Sequence, residues 1–417
     1  RDEEKKPPPD LRKIRQRNAK AGFYLWGDYL GLKITQPPDL KLLNLETAVT
    51  KSIHNVDVPQ WKRIRYHMHV DNFQTILESG FQQAGQSQTE MTPMVVNCAN
   101  NHIMDYGRKA LEEETLPLLD RREKCNPHFH TVGCGRSFRD ACEPAFVKLC
   151  NNSVQVTIVG FAAGCSGTPQ EWWAGSNRSG VLGLPPLRSM QQVESAMATA
   201  KEAFTAAKHT QSVSQQYLPH HQLTVASIHW GPNWALKGET AERDIAARRM
   251  FAHRLVDECG VDLVYGHSSH HARGMEVYKN KLILYGVGDI INDYEGFENP
   301  GEEAYNCMGG LYLVDLNVVT GNVNQLRIIP MYMDRLSLRR YTTDAQIWQP
   351  LNPARRDRDQ GGTENKCLTW CSFLNHWSRV DAESTEGAVE LEYCENDPQI
   401  EPNTGPILRA LFKTQQK

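Results

Sequence analysis

Residues 264–271 read Val-Tyr-Gly-His-Ser-Ser-His-His. An apolar run that starts at Val261 ends on Gly266, and three of the next five residues are histidine. A short run of β-branched and aromatic residues closed by glycine marks a buried strand, so the histidines fall at its C-terminal end. That segment suits a metal site, a nucleophile turn or a polar loop. The choice depends on whether other strand ends carry matching groups.

Three others do. "LLNLETAVT" carries Asn44 and Glu46, "VNCANNHIMDYG" carries Asn100, Asn101, His102 and Asp105, and "ASIHWGPNW" carries His229. In layered α/β folds, sites are built at the ends of strands, so four such ends are expected to converge. Taken singly, each has a plain structural reading: asparagines accept left-handed turns, Glu46 is an exposed carboxylate, and a histidine after a strand is hydrogen-bonded structure. Together they make a mixed oxygen and nitrogen donor set, suited to zinc, manganese or iron and poor for calcium or magnesium alone.

The wider pattern is that of an α/β protein. Strands are predicted at residues 40–45, 94–98, 154–162, 223–229, 261–265, 275–278, 282–287, 310–314 and 326–331. Helices are predicted at 108–119, 190–208 and 241–259, the last with Ala247, Phe251, Leu255 and Cys259 on one face. Alternation of β and α over most of the length indicates helices covering sheets. A charged segment at 1–22, a domain at 23–340 and a C-terminal appendage at 341–417, rich in charge, Pro and Gly, divide the chain.

Composition excludes several classes. With 46 Lys and Arg against 49 Asp and Glu in 417 residues, no basic field exists for nucleic acid. No run approaches the roughly 18 apolar residues of a membrane span, and "RDEEKKPPPD" is unlike a signal peptide. A soluble, cytoplasmic chain is the expectation. Eleven cysteines spread over this length read as mostly free, buried thiols, and Cys367 with Cys371 lacks a second pair at zinc-module spacing. Trp172, Trp173, Trp230 and Trp234 lie near the motifs and read as core residues before cleft walls. A nucleophile elbow fails because His270 stands where Gly-x-Ser-x-Gly needs its closing glycine. Phosphate-loop, His-Glu-x-x-His and dinucleotide signatures are missing from the sequence as well.

At these segments the sequence resembles the CapA-like family of poly-γ-glutamate capsule synthesis proteins, whose fold is similar to that of calcineurin-like metallophosphoesterases. The matching pieces are Asn44-Leu45-Glu46, Ala99-Asn100-Asn101-His102 with Asp105 and Gly107, His229-Trp230-Gly231, Gly266-His267-Ser268-Ser269-His270, and Tyr285 to Asp289. Lesser matches are Trp61 to His69 and Thr131 to Ser137. The resemblance implies a four-layer α/β/β/α sandwich with one or two divalent metal ions (Zn, Mn or Fe) at strand ends. It implies Glu46, Asn101, His229, His267 and His270 as metal ligands and His102 as acid/base, with Asp105 or Asp289 orienting an imidazole. His271 matches no role.

A metal lowers the pKa of bound water to about 7, so hydroxide forms at neutral pH, and a neutral imidazole hands on the proton. The reaction this implies is hydrolysis of a poly-γ-glutamate or peptide-like substrate, with phosphoester hydrolysis and peptide epimerisation as alternatives on the same apparatus. One departure stands out. The family begins with an apolar strand ending in Gly-Asp-x-Met, and the candidate here, Gly27-Asp28 in "FYLWGDYL", resembles a different, later family segment. Asp28 is therefore expected to be structural and the first strand to be missing from this chain, as in a fragment, a misassigned start or a degenerate paralogue. The rival class is a non-catalytic CapA-like binding protein with one metal or none.

Overall fold

The computed structural model describes residues 21–32, 34, 37–51, 53, 57–78, 92–214, 219–232, 239–292, 308–334, 336–340, 374, 378, 389–394 and 407–411. Trp234, Cys367, Cys371 and most of 341–417 lie outside them. Among the described residues there are five sheets, two of them two-stranded pairs (Ala48–Val49 with His67–Met68, and Cys134–Gly135 with Gly180–Val181), and three larger ones organise the fold. The first is parallel, β1 (Lys41–Asn44), β2 (Met94–Asn97) and β3 (Phe129–Val132), in that order, with Asn44 beside Asn97.

The second sheet has seven strands: β4 (Ala145–Leu149), β5 (Val154–Ala163), β6 (Gly183–Leu184), β7 (His221–His229), β8 (Leu263–His267), β9 (Met275–Tyr278) and β10 (Lys281–Leu284). Its order is β6-β5-β7-β8-β10-β9, with β4 also on β5, and only the β4–β5 and β9–β10 pairs are antiparallel. The third is antiparallel: β11 (Met308–Leu316), β12 (Val323–Asp334), β13 (Ser337–Arg340), β14 (Glu390–Cys394) and β15 (Ile407–Leu411), in the order β11-β12-β15-β14 with β13 on β12.

Period-two alternation sorts the faces. Val154, Val156 and Ile158 of β5 share one core with Val95 and Val132 of the first sheet and Leu326 and Ile328 of the third. The opposite face of the seven-stranded sheet, with Phe161, Ala226 and Ile228, packs against Ala196 and Met197 of helix Met190–Ser214 and Phe251 of helix Glu239–Arg254. Met94, Val96 and Phe129 face Leu111, Leu116 and Leu119, and Ile329 and Met331 face Trp26 and Leu32. Helices thus pack on the outer face of the large sheet, and the two smaller sheets share a core with its other face. Each fully buried large apolar side chain contributes about 1.5–3 kcal/mol.

The predicted strands and helices fall on observed elements. β3, β4, β6, β13, β14 and β15 lie outside the predicted strands, β3 and β4 because Phe-His-Thr-Val and Ala-Phe-Val-Lys-Leu carry polar residues in very short runs. The strand expected to reach Val287 stops at Leu284, and Val287 keeps an isolated bridge to Ala272. Residues 21–26 are helical and 27–31 form a 3-10 turn, so "FYLWGDYL" supplies no strand, and among the described residues none precedes Lys41. Eight described cysteines are free thiols, with Cys98, Cys142, Cys165 and Cys259 buried. Among the described residues no helix is long and apolar enough to cross a membrane.

Candidate metal centre

Parallel pairing sets the histidine side of the site. His229 ends β7 and His267 ends β8, and the ladder places them in register. Alternation puts both on the face of Leu223, Val225 and Leu263, which looks toward the first sheet. Asn97, at the end of β2, projects back from that sheet. Its Nδ2 lies 3.0 Å from Ser227 Oγ and 3.1 Å from His267 Nε2. The sheets approach this closely because Gly160 has no side chain: a Cβ there would stand 2.6 Å from Asn97 Oδ1.

Since the amide donates to His267 Nε2, the network assigns the ring proton to Nδ1, which donates to His229 Nδ1 at 2.9 Å. His229 Nε2 then donates to Asn101 Oδ1 at 3.0 Å.

The carboxylate side is held by side-chain amides. Asn100 Oδ1 accepts from the N–H groups of His102 (3.0 Å) and Ile103 (2.9 Å), fixing the turn after β2. Its Nδ2 donates to Leu45 O at 2.8 Å and Asn44 Oδ1 at 3.2 Å, tying that turn to the end of β1. Asn44 Nδ2 donates to Glu46 Oε2 at 3.0 Å. Glu46 Oε1, buried and without a hydrogen-bond partner, faces three imidazoles. It lies 3.6 Å from His229 Nε2, 3.8 Å from His270 Nε2 and 4.0 Å from His102 Nε2.

Two of those rings are backed by carboxylates. Asp105 Oδ2 accepts from His102 Nδ1 at 2.6 Å, and Asp289 Oδ2 accepts from His270 Nδ1 at 3.0 Å. With Nδ1–H committed backward, Nε2 of each ring presents a lone pair toward Glu46 Oε1. Acceptors facing acceptors in a buried space call for a cation. Burial accordingly pushes the Glu46 carboxyl up to about 7, against the pull of His270. It holds His229 well below the usual histidine range, His267 at about 3 and His102 lowered. Neutral imidazole is the form that binds metal.

Donors bonded at about 2.1 Å around a tetrahedral ion stand roughly 3.4 Å apart. The spacings of 3.6 and 3.8 Å from Glu46 Oε1 exceed that by a few tenths. Among the described residues no three His, Cys, Asp or Glu groups are yet drawn to bonding geometry, so binding requires a small contraction. The donor types, a carboxylate, an amide oxygen and imidazoles, are those that suit a divalent metal. His270 has φ 60 and Ser268 φ 111, both left-handed and unusual without glycine. Strain of about 1–3 kcal/mol per residue at such positions is a feature of functional loops.

The structure thus brings Glu46, Asn101, His102, His229 and His270 together. His267 stands behind His229, with Asn97 and Ser227 at its far nitrogen. His271 is buried, held at about 3 by burial, and is not among the rings beside Glu46 Oε1. Asp28 lies elsewhere: it accepts from Arg339 Nη1 and the Arg340 N–H, both at 3.1 Å, at the edge of β13. Trp230 is core, stacked on Tyr285 at 5.9 Å, while Trp172 is buried with Lys62 Nζ 5.0 Å from its ring centroid. Trp173 packs partly buried beside it.

Lys62 lies in the lesser match Trp61 to His69, and no role was assigned to it. Its Nζ donates to Asn101 O and Asp105 Oδ1 and stands 3.1 Å from His102 Nδ1, while Tyr66 stacks on His102 at 3.9 Å. Both residues come from an irregular loop whose letters carry no period. Asn97 was more findable, as a polar residue closing an otherwise apolar strand.

A chain with these strand-end motifs belongs to the bacterial capsule synthesis protein PGA_cap family, whose profile matches residues 11–294. Among its relatives is a "probable polyglutamine synthesis accessory protein" of Mycobacterium tuberculosis, 32% identical over 326 residues, which span 78% of this chain and 73% of the relative. The capsule biosynthesis protein CapA of Bacillus anthracis is 24% identical over 239 residues (55% of this chain, 48% of the relative). The PGA biosynthesis protein CapA of Bacillus subtilis is 26% identical over 205 residues (49% and 44%).

Proposed function

We propose that the chain is a metal-dependent enzyme that hydrolyses an amide in a poly-γ-glutamate or peptide-like polymer. The observation that carries this is the convergence of Glu46 Oε1 with Nε2 of His102 and His270, two rings whose other nitrogens are engaged by Asp105 and Asp289. The relatives' names, polyglutamine synthesis and PGA biosynthesis, support a polymer of glutamate-type units. Helices on one face of the large sheet, and the smaller sheets sharing a core with its other face, support the four-layer metallophosphoesterase-like sandwich for residues 23–340.

Glu46, His270 and the Asn101 amide oxygen would hold a zinc, manganese or iron ion, and His229 and His267 would join them once the hydrogen bonds that now engage their ring nitrogens give way and each ring frees a lone pair. When bound, the ion polarises oxygen and favours deprotonated water at neutral pH. This chain's own residues handle the proton. His102 is neutral, lowered by burial, and Asp105 fixes its Nδ1–H, so Nε2 is a base aimed into the site. Nε2 takes the proton released as the nucleophile attacks the carbonyl carbon. It returns that proton to the departing amide nitrogen when the C–N bond breaks. Lys62 neutralises Asp105 and keeps its carboxylate oriented. The same base could serve phosphoester hydrolysis or proton abstraction beside a carbonyl, so the test must separate them.

The experiment is metal analysis of the purified chain followed by a substrate panel: a phosphomonoester, a phosphodiester, poly-γ-glutamate and short peptides, the last also scored for deuterium uptake at the α-carbon. Stoichiometric metal with cleavage of poly-γ-glutamate or peptide is expected. A chain that stays empty after reconstitution with all three metals would sink the enzyme reading in favour of a non-catalytic binding protein.

A further inference from the structure

Residues 57–66 are pinned beside the turn that carries Asn101 and His102. Lys62 donates to Asn101 O, the Tyr66 N–H to Asp105 Oδ2 at 2.7 Å, and Asp57 accepts from the Lys109 N–H at 2.9 Å. The same segment leaves apolar surface open: Trp61 is 57% exposed and Ile64 58%. Trp61 is held all the same, its ring 6.3 Å from that of buried Trp172. Lys62 Nζ stands 5.0 Å from the Trp172 centroid and 3.1 Å from His102 Nδ1, which joins this pair of rings to the acid/base. An open indole already fixed by a ring beneath it loses little freedom when a ligand lies on it. Its surroundings are cationic. Over 57–66 and 171–179, Asp57 and Glu171 stand against Lys62, Arg63, Arg65 and Arg178, in a chain whose net charge is -3. Arg108 joins them by donating to Glu171 O. Among the described residues Arg63, Arg65, Arg108 and Arg178 form no ion pair.

We infer that Trp61, Arg63, Arg65, Arg108 and Arg178 form a docking subsite for a polymer of carboxylates, which lays its methylenes on the indole and pairs its carboxylates with the guanidiniums. A γ-linked glutamate chain repeats that alternation in every unit. The planar guanidinium fork matches carboxylate geometry, and tryptophan with arginine is the combination that dominates binding energy at interfaces. Burial and then the Arg178 charge lower the Arg108 pKa, so the two guanidiniums repel each other. Glu112 and Asp57 attract Arg108, but Glu112 is engaged by Ser179 Oγ at 2.6 Å and Asp57 by Lys109. Like charges gathered without a bridging carboxylate favour an anion from outside. The subsite rests on the proposed action on such a polymer, and it adds what holds the chain while one linkage reaches His102.

Calorimetric binding of poly-γ-glutamate to the His102→Gln chain tests this apart from turnover. In that parent, Trp61→Ala is expected to weaken binding about 10-fold, and Arg63→Glu with Arg178→Glu at least as much. Affinity should also fall as salt rises. Trp61, Arg63 and Arg178 are all exposed, so these variants keep the fold, which circular dichroism checks. Parent affinity in both variants overturns the inference and leaves the proposed hydrolysis standing. Binding that depends on Trp61, without cleavage by the metal-loaded wild type, upholds the subsite and overturns the hydrolysis. A parent chain that does not bind the polymer overturns the inference, and its sedimentation with phosphatidylglycerol vesicles would then assign the patch to a membrane surface.

Discussion

The two sides of the candidate centre are built differently. His229 and His267 sit at the ends of adjacent interior strands, in register, and their separation is set by a backbone ladder. Glu46, Asn101 and His102 sit on turns whose positions depend on side-chain amides: Asn44 on Glu46, and Asn100 on Leu45, His102 and Ile103. A ladder loses one bond at a time with little movement. A chain of amides passes any loss straight to the carboxylate, so the histidine side is the fixed template and the acid side the adjustable part.

The largest effect tests the template. Replacing His229 and His270 together by alanine should eliminate retained metal and turnover while the far-ultraviolet circular dichroism stays that of the wild type, and metal retained by that variant would refute the assigned ligands. His102→Gln, on the adjustable side, should lower turnover by about 10²–10⁴-fold with metal content unchanged, as expected for a lost acid/base. Loss of metal in that variant would make His102 a ligand.

The third contrast uses protons. His267 and His271 are held near 3 by burial, so below about pH 6.5 the unfolded chain binds protons that the folded chain refuses. Stability is full above that pH and falls as pH drops toward 3, by about 1.4 kcal/mol per pH unit for each ring. Urea midpoints of metal-free protein at decreasing pH should show this, and His271→Gln should remove one ring's share of the slope. An unchanged slope would place His271 in a solvated setting.

The smallest effect belongs to Asp28. Its side chain is 43% exposed and pairs with Arg339, so Asp28→Asn should cost no more than about 1 kcal/mol in denaturation and leave turnover alone. A large loss of turnover would return Asp28 to the centre.

The template side was the more legible in the letters. An apolar run followed by polar ligand-type residues locates a strand end, and four such ends, three of them with histidine, pointed to the convergence. The adjustable side was legible only as a set of polar residues. Which oxygen of Glu46 is left over depends on Asn44 and Asn100, and Lys62 arrives on a loop without periodicity. The setback of His267 was hidden for another reason, since the letters do not say which ring nitrogen Asn97 will engage. The resemblance supplied the family, and the structure supplied the positions.

The register of β7 with β8 has a genetic consequence. Because side chains alternate, inserting or deleting one codon within either strand would turn its histidine toward the helices and bring a neighbour such as Ile228 into its place. Such a change leaves charge and composition almost untouched, yet it would remove the centre as surely as replacing the histidine itself. Gains and losses of sequence along this lineage should therefore collect in the connections between strands and stop at the boundaries of these two.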